Sequence, residues 1–521
     1  MEKTASSGVF RGWKMPLAST VSATVEGITA RLVTVEANVG PGLPGMHMVG
    51  LGDAAVKESR ERIRTAISNS QLPWPRTKIM VSLSPAHLPK AGSHFDLPIA
   101  AAVLGSLDPR VQCRLERTML LGELALDGTL RRVDGVLPML IAMLHDDSST
   151  RPTTVVVPRE NAAEASLLGA RNILVADSLA QVWAWLAGET QLEQVGEPQV
   201  CERAAGPDFA DIAGMSAERE ALEVAAAGGH HVMMIGPPGS GKSMLAERLP
   251  SILPPLTVEE MVEVTALHSA AGISSGGIVS NRPFIAPHPS LTKASLIGGG
   301  SGVPRPGVVS QAHHGVLFLD EASEISAQVL DALRIPLEKR EVRLTRSRRE
   351  VVYPADAQIV LAANPCACQR INGNCTCRVV DRANHLRNVS GPLLDRLDVF
   401  IHTSADSTVV SPLEAEPSHV IVERVADARQ RAHRRWASAG VNETVNARVA
   451  PPLIRREFPA DEAAMAYMSS LLRTGGITQR GVDRSLKVAW TLADLEGVER
   501  PDIDHVARAV DMRTAPEEVA A

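Results

Sequence analysis

The stretch from His231 to Ser243 constrains this chain more than any other. Val232, Met233, Met234 and Ile235 form an apolar run that leads into Gly236, Pro237, Pro238, Gly239, Ser240, Gly241, Lys242 and Ser243. Apolar run, glycine-rich turn and the following Met/Leu/Ala stretch read as buried strand, tight loop and helix. The pattern G-x-x-x-x-G-K-[ST] is a phosphate-binding loop. Its glycines let backbone N–H groups face an anion, Lys242 reaches the β- and γ-phosphates, and Ser243 holds Mg²⁺ at the helix N-terminus. The expected ligands are ATP and Mg²⁺.

A second apolar run, Val316 to Leu319, ends in Asp320 and Glu321. Two carboxylates at a strand end after a phosphate loop form a hydrolytic pair. Asp320 holds the metal through its water shell, and Glu321 polarises the attacking water. A third run, Gln358 to Ala363, ends in the amide of Asn364.

Bulk properties set the frame. A chain of 521 residues exceeds one hydrophobic core, so two to four domains are expected. The net charge of −6 confines any nucleic-acid surface to a local basic patch. No apolar run approaches the ~20 residues of a membrane helix, and the first residues lack the apolar core of a signal peptide. Of six cysteines, four crowd into Cys366, Cys368, Cys375 and Cys377, unlike a secreted disulfide framework. A cytoplasmic protein without a membrane partner is expected, and Met15 is an alternative start.

In order, residues 1–15 read as a tail and 16–188 as an α/β domain. The alternation of Ile28 to Glu36 is that of a half-buried strand, and Asp53 is placed to cap a helix carrying Val56, Ile63 and Ile67. Residues 189–208 lose periodicity and form a linker. The nucleotide-binding core follows over 209–405, a basic helical insertion over 406–450, and a helical lid over 451–521. Gly272 to Gly307, rich in Gly, Pro, Ser and His, is expected to be a long loop, either a moving substrate contact or an insert.

The chain resembles the ComM/YifB family of magnesium-chelatase-like AAA+ ATPases from about Leu17 to Met512. The resemblance rests on Gly42 to Gly45, Val56 to Arg62, Leu88 to Gly92, Phe95 to Pro98, Gly122 to Gly128, Ala286 to His288, Gly315 to Glu321, Asn364 to Cys368 and Ser390 to Arg396. It implies a Lon-protease-like N-terminal domain, an AAA+ P-loop core and a C-terminal helical lid. It also implies a homo-oligomer, a hexameric ring, and ATP-driven branch migration or unwinding of DNA in recombination or natural transformation, with recombination proteins as further partners. By the same resemblance Asn364 is the first sensor, Arg396 the finger completing a neighbour's ATP site, and Arg480 the second sensor, with Arg484 as alternative. The Lon-type Ser–Lys dyad is not matched. His94 or Ser93 falls near the nucleophile position, but Val136, Leu137 and Pro138 follow Gly135 where the lysine belongs, and a hydroxyl without a base is not activated.

Two basic features bear on a polymer substrate. Between Arg334 and Arg349 seven basic residues stand against Glu338 and Glu341. Val342 to Leu344 alternates like a strand and Val351 to Tyr353 returns, so a hairpin is expected, with Arg346, Arg348 and Arg349 at its tip. Such a tip either grips backbone phosphates or is a solvated turn. The helix Val420 to Trp436 carries Arg424, Arg429, Arg431, Arg434 and Arg435, for DNA or for subunit contacts. The four clustered cysteines either bind Zn²⁺, in a tighter spacing than usual, or stay as free thiols. The pairs His230/His231 and His313/His314 read as structural. A chelatase-like ATPase remodelling a protein partner is the alternative function, and an ATP-dependent protease is disfavoured by the missing lysine.

Overall fold

The computed structural model describes residues 17–50, 54–90, 92–148, 151–199, 206–273, 277–300, 304–346, 349–368, 377–404 and 415–513. Met15, Asp53, Arg348 and Cys375, singled out above, lie outside them. Contact density divides the chain into two compact units, 1–200 with 261–278, and 201–260 with 279–521.

In the first unit, β1 (Leu17–Glu26) turns through left-handed Gly27 and pairs antiparallel with β2 (Thr29–Gly40). Along β2, Val33, Val35, Ala37 and Val39 are buried, so the alternation becomes one inward face. With β3 (Gly45–Val49), β4 (Lys78–Ser84), β5 (Thr118–Leu120), β8 (Thr154–Pro158), β9 (Ile173–Ala176) and β10 (Glu193–Gln194) they form a mixed sheet ordered β10-β9-β8-β5-β1-β2-β4-β3. The short strands β6 (Glu123–Leu124) and β7 (Leu130–Arg131) pair separately. Both sheet faces are covered. In β8, Val156 enters one apolar cluster while Val155 and Val157 enter the other. The helix Asp96–Gly105 is buried along its whole length, as a run apolar on every side must be.

The second unit is built on a five-stranded parallel sheet, ordered β12-β15-β18-β11-β19. Its strands are β11 (Val232–Ile235), β12 (Phe284–Ile285), β15 (Val316–Leu319), β18 (Gln358–Ala363) and β19 (Val399–His402), all in parallel register. A mixed α/β chain with a parallel nucleotide-type sheet and a helical C-terminal region is the fold expected from the sequence.

The stretch Gly272 to Gly307 differs from a plain loop. It contributes β12 to the sheet edge, the helix Lys293–Ile297, and the pair β13 (Gly298–Gly299) with β14 (Arg305–Pro306). Elements of two to five residues are too short to show a period in sequence.

Between β15 and β18 the hairpin forms as expected. Strand β16 (Glu341–Arg346) pairs with β17 (Arg349–Pro354), with Arg346 opposite Arg349. Val342, Leu344, Val351 and Tyr353 give it a buried face.

The helix Ser418–Ser438 turns Ile421, Val425, Ala428, Ala432 and Trp436 inward at helical spacing. Its basic side chains are largely engaged within the unit. Arg424 pairs with Glu223 and Glu416, Arg429 donates to the Ala226 carbonyl, Arg431 to the Asp494 carbonyl, and Arg435 pairs with Asp494. The lid helix Gln479–Glu496 packs beside it. Trp436 meets Trp490 edge-on with ring centroids 6.1 Å apart, and Arg435 lies 3.9 Å above the Trp490 ring. Among the described residues no helix is long and apolar enough to cross a membrane.

Candidate ATP site

The parallel sheet brings three strand ends together. β11 delivers the phosphate loop, β15 delivers Asp320 and Glu321, and β18 delivers Asn364. A cavity of about 410 Å³ is lined by Gly239, Gly241, Lys242, Ser243, Asp320, Glu321 and Asn364, flanked by Pro238 and Met244. Its position at the carboxyl ends of the strands is where open α/β sheets bind ligands.

Two glycines need their freedom here. Gly239 and Gly241 take φ of 74° and 86°, and a Cβ on Gly239 would meet nothing within 4 Å. Gly241 starts the helix Lys242–Ile252, so the first N–H groups of that helix face the cavity.

Lys242 is buried, and its ammonium donates to the carbonyls of Gly236 (2.7 Å) and Pro237 (2.8 Å) and to Asn364 Oδ1 (3.1 Å). Burial pulls its pKa below the ordinary lysine value, and the Asp320 carboxylate works against that shift. A partly desolvated cation at the loop gains from an arriving phosphate.

Ser243 Oγ donates to Asp320 Oδ2 at 3.1 Å, and Asp320 Oδ1 accepts the Glu321 N–H at 2.8 Å. One hydroxyl and one carboxylate oxygen thus converge on a single spot, a donor set that suits hydrated Mg²⁺. Glu321 is exposed and has a φ of 48°, a left-handed backbone uncommon outside glycine. The residues fit ATP and Mg²⁺. Bound there, the metal would neutralise charge on the phosphates.

Thr403, just past β19, was not legible as a site residue. Its Oγ1 lies 2.5 Å from Ser240 Oγ, and a Cβ added to Gly236 would sit 2.0 Å from it. It therefore braces the loop from behind, and only its place after an apolar run pointed to it.

The expected arginines do not line this cavity in their own chain. Arg396 donates to the Pro392 carbonyl and pairs with Glu338. Arg480, mostly exposed, lies 3.3 Å from Asp395. Arg484 reaches the buried Asp398 at 2.8 Å, and His230 Nδ1 approaches the same carboxylate at 3.0 Å. Burial alone would raise the Asp398 pKa, but Arg484 and His230 overcome it and hold the group well below the carboxylate range. His230 also meets Thr491 at 2.8 Å, and His231 Nδ1 accepts the Ile359 N–H. His313 Nδ1 accepts the Asp356 N–H. These contacts tie the three histidines to surrounding strands, helices and loops.

Three family models match along the chain: "Subunit ChlI of Mg-chelatase" over residues 35–161, "Magnesium chelatase, subunit ChlI" over 208–410, and its C-terminal model over 415–513. YifB of Escherichia coli is 37% identical over 494 residues, 94% of this chain and 95% of that protein. The competence protein ComM of Haemophilus influenzae is 35% identical over 517 residues, 96% of this chain and 98% of that protein. The chain belongs to the ComM/YifB family. Another relative, an uncharacterized protein of Mycobacterium tuberculosis, is 46% identical over 503 residues, 96% of this chain and 99% of that one. Membership of the ComM/YifB family supports an AAA+-type ATPase.

Elsewhere, Cys366, Cys368 and Cys377 bring their sulfur atoms within 4.8 Å of one another. The hairpin tip carries Arg346 and Arg349 at its ends. Of the other basic residues around it, Arg334 pairs with Asp331, Arg340 with Glu443 and Arg343 with Glu341.

Proposed function

We propose that the chain is an ATP-hydrolysing ring motor that translocates on DNA or migrates branched DNA, acting in the cytoplasm in recombination or transformation. The observation that carries this reading is hairpin β16–β17. It is inserted between the strand bearing Asp320 and Glu321 and the strand bearing Asn364, with Arg346 opposite Arg349 at its end and Arg348 between them in sequence. A movement at the ATP site is thereby transmitted to a cationic tip that grips backbone phosphate without regard to sequence. In the hydrolytic step Lys242 binds the phosphates, Glu321 takes the proton of the attacking water and Asn364 orients that water, while Asp320 and Ser243 would hold Mg²⁺. Arg396, held by Glu338 away from its own cavity, serves the neighbouring subunit of a hexamer, and Arg480 senses nucleotide from the lid. The identity to ComM, a competence protein, supports a DNA role. We propose further that Cys366, Cys368 and Cys377, with Cys375, bind structural Zn²⁺, since converging thiolates are its preferred donors.

The deciding measurement is ATP turnover with and without single-stranded DNA and a four-way junction. Several-fold stimulation and junction movement are expected. Replacing Arg346, Arg348 and Arg349 with Ala should keep basal turnover and remove the stimulation. Turnover indifferent to every DNA would transfer the assignment to remodelling of a protein partner.

A further inference from the structure

The second unit contains another cavity, of about 290 Å³, at the opposite edge of the parallel sheet from the ATP site. His231, Gly315 and Gln358, which line it, stand where β11, β15 and β18 begin. Its other wall comes from the lid helix and from the helix Ser418–Ser438. Six cationic side chains line it, Arg282, Arg340, Arg429, Arg448, Arg484 and Lys487, against three acids, Glu260, Glu338 and Asp356.

The pairing of these charges leaves a remainder. Arg282 pairs with Glu260, Arg448 with Asp356, Arg340 with Glu443 and Arg484 with Asp398. Arg429 and Lys487 have no carboxylate partner among the described residues. Arg429 places Nε and Nη2 on the Ala226 carbonyl, and Lys487 places its ammonium on the Ala447 carbonyl. Lys487 is only 5% exposed. Burial, aggravated by Arg282 and Arg448, pulls Arg429 down to about 9, and burial with Arg484 pulls Lys487 down to about 8. Buried charges are ordinarily paired, and a guanidinium and an ammonium retain N–H groups for another acceptor.

We propose that this cavity binds a small phosphate-class dianion, held by Arg429 and Lys487. Two surplus positive charges and their free donors match a doubly charged tetrahedral anion better than a single carboxylate. Bound there, the anion ties the lid helix, through Lys487, to the strand-entry edge of the core. It is a regulatory ligand of the lid, separate from the nucleotide.

The test uses the full chain carrying Lys242→Ala, in EDTA, titrated with inorganic phosphate by calorimetry and by thermal unfolding. One saturable equivalent per chain and a raised unfolding midpoint are expected, because the phosphate loop is disabled and this cavity is not. Lys487→Met, added to that variant, should raise the midpoint without ligand by removing an unpaired buried charge, and should abolish the phosphate response. Arg429→Met should weaken binding at least tenfold. Absence of binding in the Lys242→Ala chain overturns the proposal, as does binding unchanged by Lys487→Met. Circular dichroism identifies a variant that fails to fold, and the other then decides.

Discussion

Asn364 Oδ1 accepts a hydrogen bond from the Lys242 ammonium at 3.1 Å, joining the end of β18 to the start of the helix Lys242–Ile252 across 122 residues of sequence. The amide therefore positions the lysine before nucleotide arrives. Asn364→Ala should lower kcat by roughly 10²-fold, the scale of losing one preorganised polar group, with a KM for ATP changed by only a few-fold. Steady-state phosphate release measures both, and an unchanged kcat would remove Asn364 from the reaction.

Among the described residues no hydrogen bond or ion pair joins the Glu321 side chain to the phosphate loop, while Asp320 is tied to Ser243. The two carboxylates can therefore be separated. Glu321→Gln keeps shape and loses proton acceptance, so turnover should fall by roughly 10²–10⁴-fold with nucleotide still bound. Fluorescent-nucleotide binding beside single-turnover hydrolysis separates the effects. Equal loss of both would assign Glu321 to binding instead.

Asp398 is fully buried between Arg484 and His230. Removing its charge leaves Arg484 uncompensated, a change that costs about 3–5 kcal/mol in buried pairs. Asp398→Asn should shift the urea midpoint of the second unit accordingly. A cost below about 1 kcal/mol would mean that the pair behaves as an exposed one.

His231 is held down to about 4, chiefly by burial. Its native pKa lies below the unfolded value near 6.5, so the unfolded chain binds more protons between those limits. Stability from this group is complete above about 6.5 and drains as pH falls toward 4, at about 1.4 kcal/mol per pH unit at most. His231→Asn keeps an acceptor for the Ile359 N–H and removes the titration. Its unfolding free energy should lose up to about 2 kcal/mol less than the parent between pH 6.5 and 5. Parallel pH profiles would refute the assignment.

If the clustered thiolates hold zinc, chain purified without chelator should carry one equivalent per protomer by metal analysis. Cys368→Ser should reduce it and lower the unfolding midpoint. Protein reconstituted with zinc that retains none after desalting would leave these as free thiols.

The ATP site was legible because its chemistry is written in contiguous runs. Val232 to Ser243, Val316 to Glu321 and Gln358 to Asn364 each carry strand and reactive end together, and parallel pairing does the rest. Hairpin β16–β17 was legible from its alternation. The arginines of the helix Ser418–Ser438 were not. Their partners, Glu223 and Asp494, come from other helices, so a charge run resembling a polymer-binding face is largely internal. Strand β12 was hidden because two residues display no period. The cation-rich cavity was hidden for a third reason, since its walls come from Arg282, Arg429, Arg448 and Lys487, which only the packed fold assembles.

The chain has six Trp and two Tyr, and two of those indoles, Trp436 and Trp490, meet where the lid helix packs on the helix Ser418–Ser438, with the Arg435 guanidinium over both rings. Rings this close exchange excitation, and a cation against the indole face shifts its emission. The protein therefore carries its own optical gauge of lid packing, readable in real time during turnover without an attached dye. Substituting Trp74, Trp183 and Trp185 with Phe would leave that signal far less obscured.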